Sequence, residues 1–194
     1  MNHSVSKRFA LFLKAFFILA AMACLGWADS WQALKETAAT VTAVKAEFVQ
    51  EKHMQILARP LVSNGAFLFR APDSLRWEYS APIKSVLVMH NGQVRRFVHK
   101  DGHLVEDAAA GLQSMQVVLQ QITQWLNGRF DENPAFSAAL EPGPKIVMTP
   151  KEKALARLIQ RIEIVLAEQP GVLESVTIFE SKDSFTRLVF KNVT

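Results

Sequence analysis

The chain is poor in reactive groups. Its one cysteine, Cys24, lies near the N-terminus. If that segment is removed, neither a disulfide nor a thiol nucleophile is left. No Gly-x-Ser-x-Gly, no His-Glu-x-x-His and no phosphate-cradling glycine loop occurs. Ser74, Ser80 and Ser85 have no histidine close by in sequence to activate them. His99 and His103 flank one turn, but no Asp, Glu or Cys set completes a metal site around them. They are expected to be exposed hairpin histidines. No basic stripe with interleaved aromatics occurs, which argues against nucleic acid. Internal repeats and low-complexity tracts are missing as well. The composition therefore predicts no catalysis, no metal and no cofactor.

The longest apolar run, Ala15–Leu25, follows Lys7, Arg8 and Lys14 with no acidic residue among them. It is short for a bilayer span and has signal-peptide length. Gly26-Trp27-Ala28 supplies small residues for a peptidase, so residues 1–28 are expected to be a cleaved signal peptide and 29–194 a single domain. Two other fates stay open. The run could remain as an anchor. Alternatively Ala21-Met22-Ala23-Cys24, a loose lipobox without its usual Leu, could carry lipid. Cleavage after Ala28 removes three basic residues and no acidic one, taking the net charge from +4 to +1. Residues 29–194 are numerous enough to bury a sizeable core. The expected compartment is the periplasm.

The most informative stretch is Ser63–Pro82. Phe67 and Phe69 alternate with polar neighbours, and so do Leu75, Trp77 and Tyr79. Period-two patterning gives each strand one apolar face. Ala-Pro-Asp-Ser between them is turn chemistry, so the stretch reads as a hairpin with an aromatic inner surface. Ser85–Met89 and Val94–His99 form a second hairpin around Asn91-Gly92, a type I′ turn signal. A helix is expected from Ser30 to about Phe48 and a strand from Phe48 to Ile56. His103–Glu106, Lys145–Met148, Arg161–Ala167, Val172–Glu180 and Ser184–Lys191 read as further strands. Arg129–Pro144, with three prolines, reads as loop, and Thr149–Gln160 as a capped helix. Leu112, Met115, Leu119, Ile122 and Leu126 form one stripe on a helix from Gly111 to Asn127. The predicted fold is α+β. A curled antiparallel sheet of eight to ten strands forms an open half-barrel, with two to three helices on its concave face.

The residues Phe48-Val49-Gln50-Glu51-Lys52, then Ser63-x-Gly65-x-Phe67-x-Phe69-x-x-Pro72-x-x-Leu75-Arg76-Trp77-Glu78-Tyr79-x-x-Pro82, resemble the LolA family of periplasmic lipoprotein carriers. The likeness extends through Asn91-Gly92 and through Leu173–Asn192. It implies a half-barrel that shields acyl chains, working between an inner-membrane ABC-type donor and an outer-membrane acceptor. Family members often place a basic residue just before the proline to latch the lid. Here Ala71 holds that place and Arg70 precedes it, so Arg70 is the latch that the resemblance implies. With the unusual loop after the helix, this marks a divergent member whose cargo is a lipoprotein or another lipid.

Carriage needs apolar area and few directional contacts, because cargo must leave again. The expected sheet-side lining is Phe67, Phe69, Leu75, Trp77, Tyr79, Leu87, Met89 and Phe97. Strand parity at Leu87 and Met89 is open, because Val86 and Val88 are equally apolar. The expected lid is Met115, Leu119 and Ile122, although plain core packing of that helix explains the stripe too. Arg76 and Glu78 fall on the outer face. The expected function is a monomeric periplasmic carrier. The alternative is a lipid-sensing regulatory module of the same fold, and the third reading is a lipid-acting enzyme.

Overall fold

The computed structural model describes residues 31–107, 112–143, 145–167 and 172–194. The expected signal peptide and Cys24 lie outside the described residues. The chain forms one antiparallel sheet of eleven strands. Their order across the sheet is β6-β5-β4-β3-β2-β1-β11-β10-β9-β8-β7. The first half comprises β1 (Ala43–His53), β2 (Leu61–Arg70), β3 (Ser74–Ala81), β4 (Ser85–His90), β5 (Gln93–Lys100) and β6 (His103–Glu106). The second half comprises β7 (Phe136–Glu141), β8 (Lys145–Pro150), β9 (Arg161–Leu166), β10 (Leu173–Phe179) and β11 (Phe185–Lys191). Every junction inside either half is a hairpin, and β1 on β11 joins the halves at the centre. The sheet does not close. It is the predicted open half-barrel, with one strand more than the upper expectation.

Three helices accompany it among the described residues. The first, α1, runs through 31–39. The second, α2 (Leu112–Leu126), crosses the concave face, and α3 (Lys153–Ala156) is a single turn between β8 and β9. The helix expected to reach Phe48 stops early, and β1 begins at Ala43. Thr40, Val41, Thr42 and Val44 crowd β-branched carbons there, which favours strand over helix. The segment expected as a helix from Thr149 to Gln160 instead keeps Thr149 and Pro150 in β8, and Glu152 caps α3 without a side-chain bond. Residues 136–141, expected as loop, form β7. Its prolines flank the strand and do not interrupt it.

Alternation sorts the side chains as the patterning requires. Phe67, Phe69, Leu75 and Trp77 are buried, while Leu68 and Arg76 between them are exposed. Arg76 donates to Glu78 at 2.7 Å on the convex face, as a solvated strand surface would. The core is one cluster that runs the width of the sheet, from Met89 to Ile146 and Phe136, with Leu119, Ile122, Trp125 and Leu126 of α2 laid over it. No described helix is long and apolar enough to cross a membrane.

Candidate functional site

The aromatic centre of the concave face is built on β1, β2 and β3. Phe48 faces Gly65 across the β1–β2 pair. Its ring lies 4.5 Å from Trp77 and 5.4 Å from Tyr79, centroid to centroid. Phe67 meets Trp77 edge-on at 5.4 Å. Gly65 makes this stack possible. A Cβ there would stand 2.0 Å from the Glu78 carbonyl oxygen and 2.4 Å from the Phe48 ring.

Register settles the open parity on β4. Leu75 lies opposite Met89 and Trp77 opposite Leu87, so Leu87 and Met89 share the concave face with them. Both are buried. Phe97 requires a correction. Asn91 (φ 49°) and Gly92 (φ 72°) make a two-residue turn that sets Met89 opposite Val94. The inward residues of β5 are therefore Val94, Arg96 and Val98. Phe97 pairs with Val86 on the convex face, with the Arg95 guanidinium 5.1 Å from its ring centre.

The concave face is graded along the strands. Toward the end carrying the β1–β2 loop it becomes polar. Tyr79 donates its hydroxyl to Gln50 Oε1 at 2.9 Å. Ser85 beside it is buried. Arg96 pairs with Asp107 at 3.3 Å. Alternation alone gave no sign of this polar end. Burial raises the Tyr79 pKa above the ordinary tyrosine range, outweighing the nearby Arg96. The phenol is the only tyrosine in the chain, so its ultraviolet absorbance reads one group. The phenolate should form at higher pH in the folded protein than after unfolding. Because the unfolded chain ionises first, stability should fall as pH rises past the ordinary value near 10. A titration midpoint equal to that of free tyrosine would show the ring to be solvated.

Beneath α2 lies an apolar crevice. Val44, Ala46, Phe67 and Phe190 form its sheet side, Ile122 and Leu126 its helix side. Its volume is about 20 Å³, room for roughly one water molecule. The concavity is thus filled by the protein's own side chains, and α2 supplies much of the filling. Leu119 and Ile122, two expected lid residues, are buried against the sheet. Met115 is on α2, and its side chain lies outside the described residues.

The latch also requires correction. Arg70 lies opposite Ser74 with the convex residues and is exposed, on the other side of the sheet from α2. Two amides fasten the helix instead. Gln116 Nε2 donates to Gly92 O at 2.8 Å, and Asn127 Nδ2 to Pro72 O at 2.8 Å. Each reaches the backbone of a hairpin turn on the rim. Buried Asn133 ties the following loop to Gln124 and Gln121 of the same helix and accepts from the backbone N–H of Ala135. Glutamine and asparagine carry no periodic signal, so sequence alone hides these contacts. Gln116→Ala should remove about 1 kcal/mol from the closed arrangement. That corresponds to about fivefold more helix opening. Hydrogen exchange should show faster exchange in α2 with β1–β3 unchanged; equal acceleration everywhere would mean that α2 does not open by itself.

The remaining reactive groups lie elsewhere. Ser74 Oγ and His90 Nδ1 are 2.8 Å apart. Both sit on the convex side, since their neighbours Leu75 and Met89 face inward. No described carboxylate bonds this histidine. His99 pairs with Leu104 and His103 with Lys100, so the two histidines point to opposite faces. No group of three metal-binding side chains is found among the described residues.

The chain is thus an open half-barrel whose apolar concavity is covered by a helix. The family model described as "Outer membrane lipoprotein carrier protein LolA" matches residues 39–194, and the chain belongs to the LolA family. No curated protein matches its sequence. Solved structures resemble it at low identity. A DUF1329 family protein from Desulfovibrio piger is 10% identical with TM-score 0.44, covering 86% of this chain and 92% of that one. A LolA superfamily protein from Nitrosomonas europaea is 7% identical with TM-score 0.41, covering 87% and 92%. The lipoprotein LppX of Mycobacterium tuberculosis is 11% identical with TM-score 0.43, covering 84% and 91%.

Proposed function

We propose that the protein is a periplasmic carrier that shields the acyl chains of a lipoprotein or related lipid between the inner and outer membranes. The observation that carries this reading is the apolar crevice under α2, in a chain whose family is described as lipoprotein carriers. At about 20 Å³ the crevice is too small for an acyl chain. An acyl chain enters only if α2 lifts, so the helix acts as an apolar stand-in that cargo displaces. Lipid tails then take over the sheet contacts of Leu119, Ile122 and Leu126, while those side chains pack on the tails from outside, so the contacts α2 gives up offset part of those the tails gain. That keeps binding reversible.

In this reading Phe67, Phe69, Leu75, Trp77, Tyr79, Leu87 and Met89 line the loaded cavity. Leu119 and Ile122, with Met115 on the same helix, form the lid. Residues 1–28 direct export, and 29–194 work as one monomeric domain. An inner-membrane ABC-type donor loads it and an outer-membrane acceptor unloads it. Binding needs no covalent chemistry.

Native mass spectrometry of protein taken from the periplasm tests the proposal. The expected spectrum shows one monomer with one acylated species, released by detergent. Chemical turnover of added lipid would instead indicate an enzyme, and lipid-dependent capture of a partner protein a sensor. A bare monomer that also refuses added acyl chains would overturn the carrier reading.

A further inference from the structure

The three most exposed large apolar side chains among the described residues are Ile56, Ile83 and Leu158, at 83%, 70% and 69%. Scattered singly, such residues need no explanation. These three are not scattered. Ile56 sits in the β1–β2 loop, Ile83 in the β3–β4 loop and Leu158 between β8 and β9. Antiparallel pairing puts all three connections at the same end of the sheet. Strand spacing spreads them over roughly 30 Å of its rim. Leu61 and Val62, exposed at the start of β2, adjoin the first tip. The loops 71–73, 91–92 and 142–143 at the opposite end carry no such side chain.

Charge follows the same polarity. Each tip has a cation within three residues: Arg59, Lys84 and Arg157. Lys100, Lys153 and Lys182 lie at the same end. Among the described residues none of these six forms an ion pair. The acids at this end without a Lys or Arg partner are Glu51, Asp101, Glu152 and Asp183, so the six cations outnumber them. Between the β1–β2 loop and the β10–β11 turn a cleft of about 390 Å³ opens, with Leu57, Arg59, Lys182 and Asp183 on its walls.

We infer that this end of the sheet, through Ile56, Ile83 and Leu158 and the cations beside them, docks on an anionic phospholipid bilayer. Separate aliphatic tips enter the boundary between headgroups and acyl chains, while neighbouring Lys and Arg meet the phosphates. The cleft between Arg59 and Lys182 is placed to receive one headgroup. Shallow contact of this kind is reversible and weakens with salt. The inference stands apart from the acyl-carrier reading, since none of these side chains lines the crevice under α2.

Vesicle flotation tests it. Exported protein, its N-terminus checked by intact mass, is mixed with phosphatidylglycerol-containing vesicles or with pure phosphatidylcholine vesicles. The protein should float with the anionic vesicles at least tenfold more strongly, and lose that preference in high salt. The triple change Ile56→Asp, Ile83→Asp, Leu158→Asp should reduce flotation at least tenfold while acyl binding and the circular dichroism spectrum stay unchanged. The triple change Arg59→Gln, Lys84→Gln, Arg157→Gln should weaken flotation and make it less sensitive to salt. Flotation that is absent, indifferent to lipid charge or unaffected by the aspartates overturns the inference. Selective binding of an acidic protein without any vesicle binding would assign the surface to that partner instead.

Discussion

Gly65→Val should unfold the protein more readily than any surface change, lowering stability by at least about 3 kcal/mol. For a chain of this size the melting temperature should drop by about 6–12 °C. The cause is a close approach rather than a turn. The new Cβ would stand 2.0 Å from a backbone oxygen, which cannot rotate aside, and 2.4 Å from the Phe48 ring. Phe48 in turn packs on Trp77 and Tyr79, so the strain spreads over three strands. Adding Phe48→Leu should recover only part of the loss, because the clash with the Glu78 carbonyl persists. Thermal unfolding of the single and double variants checks this. A neutral Gly65→Val would mean that β2 and β3 separate at this point without cost.

The second large effect is expected at Leu119, which is 1% exposed beneath α2. Leu119→Asp should weaken acyl binding more than it weakens folding. In the empty protein the helix can lift and return the carboxylate to water, which limits the damage. In the loaded protein the carboxylate would lie against hydrocarbon. A penalty there of about 2 kcal/mol or more means roughly 30-fold weaker binding. Titration with a fluorescent acyl probe, alongside thermal unfolding of the same sample, separates the two. Equal losses in both would make α2 an ordinary core helix and remove the lid.

The parts of the fold that sequence reveals are those with one dominant local cause. Phe67, Phe69, Leu75 and Trp77 alternate cleanly, and their faces follow. Asn91-Gly92 forces a two-residue turn. Leu119, Ile122 and Leu126 share a helical stripe and a buried face. Phe97 shows where such reasoning needs a further step. Once Met89 is placed inside, the two-residue turn obliges Val94 to lie opposite it, and Phe97 must then face out. It was expected on the concave face, but the register with β4 decides its side. On β7 the alternation of Phe136, Ala138 and Leu140 is diluted by alanine on both faces, which left only the flanking prolines to read. The buried concave face was legible and the fastenings of α2 were not. Gln116 and Asn127 act through amide geometry at a rim that only the folded sheet creates.

The pairing of β1 with β11 has a consequence for biogenesis. The central seam of the sheet joins one of the earliest segments of the chain to one of the last, with Phe48 facing Phe190. Loop closure on that scale is slow, and such a topology delays collapse. A nascent chain lacking its final strand has no partner for the open side of β1 and cannot join the two halves of its sheet. Such a polypeptide stays pliant while it is being made, and its sheet sets only when the last strand arrives.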